Sequence, residues 1–121
     1  MFSDTLTVTI DTVDKVLVRI NQDGYASEYL LRETDREYRL KIRNTSYIRK
    51  DDKVKVDRHT MELTEVIFPV TAGDAAVKRK TYCVFENDAG DDIVDVTSFV
   101  VAFNSFLGNG YRIGKMLNWE S

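Results

Sequence analysis

An α+β fold is predicted here: an antiparallel β-sheet meander with an N-terminal hairpin, followed by two C-terminal α-helices. Three features carry that prediction. Apolar and polar residues alternate through much of residues 5–87. Turn-forming clusters, "DTVD", "NQDG" and "KDDK", interrupt the alternation. After "NDAGDD" (87–92) the apolar spacing changes to three and four residues, the repeat of a helix.

"TLTVTI" (5–10) alternates strictly, and "DTVD" separates it from "KVLVRI" (15–20), so the pair reads as a hairpin spanning residues 1–21. "NQDG" (21–24) is a turn, with Gly24 available for positive φ. "YASEYLLRE" (25–33) reads as a third strand, and "EYRLKIR" (37–43) as a fourth that continues through "NTSYIR". "KDDK" (50–53) reverses the chain into "VKVDRHTMELTEVIFPV". There the alternation slips, with Val54 and Val56 on even positions but Met61, Leu63 and Ile67 on odd ones. A bulge near Asp57–His59 would account for the slip. "TAGDAA" (71–76) is a loop, and "VKRKTYCVFEN" (77–87) is the last strand of a sheet covering 25–87.

Ile93, Val96, Phe99, Val100, Phe103, Phe106 and Leu107 then define one face of a helix over 92–107. Asp91 or Asp92 suits its N-cap, although "IVDVTSFVV" is rich in residues that favour strands. "GNG" (108–110) ends this helix, and "YRIGKMLNW" (111–119) reads as a second, with Ile113, Met116 and Leu117 inward. The whole chain, 121 residues long, reads as one domain whose helices occupy 91–121. Val94 and Val101 leave the first helix apolar beyond one face, as expected of a helix that finds part of its cover on a second subunit.

Composition excludes several functions. The single Cys83 forbids an internal disulfide and suits a small buried hydrophobe in a reducing compartment. "MFSDTLTVTIDTVDK" lacks the basic and apolar regions of a signal peptide, and no run approaches the roughly 20 apolar residues that span a bilayer. A soluble, intracellular chain is expected. There is one histidine, His59, without a neighbouring nucleophile motif, so a structural hydrogen bond is expected of it. Asp51–Asp52 and Asp91–Asp92 fall at a turn and a helix start, and no glycine-rich phosphate loop is present. No catalytic residue, cofactor or metal is expected.

Binding remains. Net charge is −3, yet residues 32–58 carry ten Lys/Arg against six Asp/Glu, while 86–121 carry six acids and two bases. That asymmetry points to a polyanionic partner. In "EYRLKIR", Arg39, Lys41 and Arg43 share one strand face and Tyr38, Leu40 and Ile42 the other. The cationic row is about 13 Å long at ~3.3 Å per residue. A solvated strand face is the plain alternative. Lys78 and Lys80 form a second row beside Tyr82, and cations with an exposed aromatic suit single-stranded RNA. Glu62 and Glu65 would weaken indiscriminate contact.

The order of elements resembles the coat proteins of single-stranded RNA bacteriophages. The local likeness lies in "DRHTMELTEVIFPV", the small-residue loop, and "RKTYCVFEN" leading into "DDIVDVTSFVVAFNSFL". The resemblance implies an intertwined homodimer with a continuous ten-stranded sheet, whose helices clasp the partner chain. It implies assembly in the bacterial host cytoplasm into an icosahedral virion, typically T=3, with the loop 71–78 changing conformation around the symmetry axes. It also implies that the sheet faces genomic RNA and binds a stem-loop, repressing translation. By position, Arg39, Lys41 and Arg43 match the RNA-facing row of the fourth strand, Glu62 and Thr64 that of the next, and Lys80 and Tyr82 that of the last. Tyr38, Leu40 and Ile42 would meet the partner's helix. The family's adenine pockets are usually lined by Thr and Ser; long cations stand at the matching fourth-strand positions here. No cysteines flank the 71–78 loop, so the inter-subunit disulfides of some relatives cannot form. A non-capsid RNA-binding module using the same basic face, and a small nuclease with His59 as base, are the competing readings.

Overall fold

A computed structural model describes all residues, Met1–Ser121. Six antiparallel strands, β1 (Thr5–Ile10), β2 (Val13–Asp23), β3 (Ala26–Arg32), β4 (Arg36–Ile48), β5 (Lys55–Ile67) and β6 (Val77–Asp88), lie side by side in chain order. Two helices follow, α1 (Ile93–Leu107) and α2 (Gly110–Leu117). The chain forms two compact units, Met1–Glu86 and Asn87–Ser121. No single helix is long and apolar enough to cross a membrane.

The strand unit shows why alternation became a sheet. Leu17, Tyr29, Tyr38, Leu40 and Ile42 form the buried core, with Leu6, Val8, Ile10, Leu31 and Leu63 packed against it. Cross-strand pairs Leu6–Leu17, Tyr29–Leu40 and Leu40–Leu63 place all of these on one face. That face is closed by the chain itself: β2 comes within 8 Å of β4, nearer than the roughly 9.5 Å of two flat strand spacings. The sheet therefore coils, and its hairpin shelters the centre. Tyr38, Leu40 and Ile42 are only 3%, 5% and 6% exposed within one chain, so they do not wait for a partner's helix as expected. Arg19 fastens the N-terminal segment over this core. It donates to Asp4 Oδ1 (3.0 Å), Ser3 O (3.2 Å), Phe2 O and Tyr29 Oη (3.0 Å), and Tyr29 in turn donates to Ser3 O (2.8 Å).

Three strand expectations change. β2 begins at Val13 and runs through Asn21, Gln22 and Asp23, so "NQDG" turns only at its end, where Gly24 has φ +58. A bulge exists, but in β2 between Arg19 and Asn21, not near Asp57–His59. The β4–β5 register is unbroken from Arg36–Ile67 to Ile48–Lys55. The slip in apolar pattern has another cause. Val56 stands opposite Tyr47 on the charged face and is 2% exposed, beside a cluster in which Glu86 accepts from Tyr47 (2.9 Å) and Arg58 (3.3 Å). β5 has apolar positions on both faces, so no extra residue is needed.

In the helical unit Asp92 is the N-cap of α1, its Oδ1 accepting from the Val94 and Asp95 amides (2.8 and 3.2 Å). Gly108 is the C-cap. Asn109 caps α2, which starts one residue earlier than "YRIGKMLNW" suggests. Neither helix buries a residue. Ile113, Met116 and Leu117 are 46%, 67% and 76% exposed rather than inward, because nothing in the single chain covers them. Cys83 is half-buried, not a full core residue.

Candidate nucleic-acid interface

The face of β3–β6 opposite the core carries Arg39, Lys41, Arg43, Glu62, Thr64, Lys80 and Tyr82 together. Pairing fixes the first five: Arg39 is opposite Thr64, Lys41 opposite Glu62, and Arg43 opposite Thr60. Lys80 reaches Glu62 Oε1 at 3.1 Å, which sets β6 in phase with them. The complementary positions of β6 turn to the core side, where Arg79 donates to Glu65 (2.6 Å) and Phe85 lies 4.9 Å from the His59 ring. His59 Nδ1 is 2.7 Å from Asn44 Oδ1, the structural hydrogen bond expected of it.

Three grooves lie on the charged face, the smallest, about 210 Å³, beside Asn21, Asp23, Glu28, Lys41 and Arg43. Another, of about 250 Å³, is lined by Lys41, Arg43, Thr60, Glu62, Lys80 and Tyr82 among others. Its neighbour, of about 360 Å³, joins Arg39, Lys41, Thr64, Lys78 and Lys80. These two are open, their walls formed largely by the aliphatic stems of the charged side chains, and Tyr82 is 66% exposed, with its ring open to stacking. Another groove, about 550 Å³, lies on the core side between Met1–Phe2 and Asn44. Its one charged side chain, Arg19, is already committed to Asp4 and the N-terminal carbonyls.

The cations are less free than the sequence pattern implies. Arg39 donates to Glu28 Oε1 at 2.5 Å and has Glu37 at 3.8 Å; the Glu28 bond holds its guanidinium even more firmly protonated than usual. Lys80 is tied to Glu62, and Arg58 to Glu86. Lys41, Arg43 and Lys78 form no ion pair. Glu65 does not belong to this face. It sits on the core side under Arg79, Tyr38 and Arg36, so only Glu62 of the two acids faces the grooves. Sequence reasoning missed Glu28, Arg58 and Thr60, because each matters through a cross-strand neighbour, and only the register supplies those neighbours.

The seven helix positions sit differently. Val96 and Val100 are half-buried, while Ile93, Phe99, Phe103, Phe106 and Leu107 are exposed, Phe103 and Phe106 with rings 6.4 Å apart. Arg112 lies 4.0 Å from the Phe106 centroid. These residues form an apolar surface of their own unit.

The sequence model of the phage phiCb5 coat protein matches residues 3–88, which span all six strands. Among solved structures, the virus-like particle of Beihai levi-like virus 21 is similar in fold: TM-score 0.73 at 11% identity, covering 97% of this chain and 94% of that one. No curated protein sequence matches. With the family matched through every strand, the chain belongs to the coat proteins of the phage phiCb5 family, a structural viral protein and not an enzyme.

Proposed function

We propose that this coat protein assembles as homodimers into an icosahedral shell around genomic RNA, in the cytoplasm of a bacterial host, with the face of Arg39, Lys41, Arg43, Glu62, Thr64, Lys80 and Tyr82 turned to the RNA. The observation that carries this reading is the division of the sheet: one face is closed by its own hairpin, while the other is open and lined with cations and a free tyrosine. Lys41 and Arg43 supply phosphate contacts, and Tyr82 supplies a stacking surface for an unpaired base. An RNA stem-loop, whose loop bases are splayed, offers both, and its occupation near a start codon would repress translation.

The dimer is supported by what the single chain leaves open. β6 is an edge strand whose outer ladder has no partner. Pairing it with its symmetry mate would join β2–β6 of each chain into ten strands, with β1 at each outer edge. Met61 at 38% and Phe99, Phe103 and Phe106 at 69%, 59% and 51% exposure are apolar surfaces of the kind obligate dimers bury. The loop 71–78 would be the segment that adapts to different symmetry environments.

The test is overexpression in bacteria, followed by size-exclusion chromatography, negative-stain electron microscopy and nuclease protection on the same peak. Round particles holding protected RNA are expected. A small, folded, RNA-binding species that never forms particles would replace the shell reading with that of a non-capsid RNA-binding module.

A further inference from the structure

We propose that Glu28 and Glu62 are specificity-determining residues of the charged face, making it answer to unpaired ribonucleotides and resist polyanions that offer only phosphate; the step rests on the RNA-binding reading above. The register shows how. Lys41 stands directly between two carboxylates, Glu28 on β3 and Glu62 on β5. The same two acids also hold Arg39 (2.5 Å) and Lys80 (3.1 Å). Two of the cations that define the basic pattern, Arg39 and Lys80, are thus held in ion pairs, and the unpaired Lys41 is flanked by both acids. A phosphate approaching Arg39, Lys41 or Lys80 must displace a carboxylate or sit beside one.

Within the β4 row, Arg43 alone has neither an ion pair nor an acid directly opposite it. Its cross-strand neighbours are Ala26 and Thr60, both uncharged. It shares the 250 Å³ groove with Tyr82, whose ring is open. A nucleotide can therefore place its base on Tyr82 and its phosphate on Arg43 without displacing an ion pair. Glu62 lines the same groove and is acceptor-only, with nothing to give a phosphate. It can take a hydrogen bond from a ribose 2′-OH or a base amino group, donors that an unpaired ribonucleotide presents. A base-paired duplex hides its amino groups and cannot stack on Tyr82, so it meets the paired charges and not the groove.

The experiment compares wild type with Glu28→Gln, Glu62→Gln and the double variant, using a fluorescent single-stranded RNA and a duplex DNA of equal length across a salt series. Glutamine keeps the shape and an acceptor, and both glutamates are 24% exposed, so the fold should persist; each single variant stands as a result if the double one does not fold. Removing the carboxylates frees cations for phosphate, so duplex affinity should rise about tenfold and its log–log salt slope steepen by ~1–2. Single-stranded RNA should gain less, and the preference for it should shrink. Equal gains for both ligands, or no change in either, would overturn the proposal. A wild type that binds neither ligand would instead overturn the RNA-binding reading, and Arg43→Ala distinguishes the two: it should weaken RNA binding in wild type and in the glutamine variants alike.

Discussion

The strand unit and the helical unit handle apolar residues in opposite ways. Leu17 and Tyr29 are 0% exposed with nothing but their own chain around them. α1 is at least as apolar in sequence, yet it buries no residue. The difference is not local. α1 has a two-bond N-cap and a glycine C-cap, so its ends are well specified. What it lacks is cover, and an isolated helix of 15 residues is marginal in water. The sheet closes its core by coiling; the helix needs another molecule.

That contrast is broken most directly by Phe103→Asp. In the single chain this ring is 59% exposed, so a carboxylate costs little there. In the proposed dimer it would be buried without a partner, at roughly 3–5 kcal/mol. Analytical ultracentrifugation should show monomers, electron microscopy no shells, and circular dichroism a retained β signal. Persistent shells would mean that this face is not an interface. Leu17→Ala acts on the other side of the contrast. A cavity beneath Tyr29 and Leu40 should cost about 3 kcal/mol, whatever the protein concentration. A melting temperature that recovers as concentration rises would show that the core is shared between chains, contrary to its closure here.

The sheet was legible because its code is local. Six strands, the Gly24 turn, the two faces of "EYRLKIR" and the phase of β6 all follow from period-two patterning and turn residues. Val56 was misleading because burial beneath Tyr47 on the charged face looks, in sequence, like a change of register. The β2 bulge left no mark, since "VRINQD" keeps ordinary strand composition through it. The candidate site was half legible. Its cations could be read from spacing, but their neutralisation by Glu28 and Glu62 depends on residues brought opposite by pairing. The coverage of Tyr38, Leu40 and Ile42 was likewise a property of coiling, which no pattern along one strand records.

Glu65 tests whether the strand unit's self-sufficiency extends to charge. Burial opposes its ionisation, but hydrogen bonds from Arg79, Tyr38 and Arg36 prevail and hold its pKa below the ordinary carboxylate value. Because the unfolded chain takes up that proton at higher pH, the site's stabilisation is fully present above about pH 4.3 and fades as pH falls through the lowered native value. Glu65→Gln should therefore lower the melting temperature at pH 7 and cost progressively less below pH 4. A deficit that stays constant down to pH 2 would assign the loss to packing.

The smallest effect sharpens the contrast most. Asp92→Ala removes both amide caps of α1 and should cost about 1 kcal/mol. In a helix already held by buried side chains, that loss would be a small fraction of the stability. In an uncovered helix it is comparable to everything that favours the helix, so the helical signal should fall visibly in dilute, unassembled protein. If assembly provides the missing cover, the same variant at high concentration should regain its helix, and amide exchange over Ile93–Leu107 should slow as particles form. Exchange equally slow in dilute protein would mean that the helix is stable by itself. The apolar face of α1 would then not need a partner to be formed, only to be hidden.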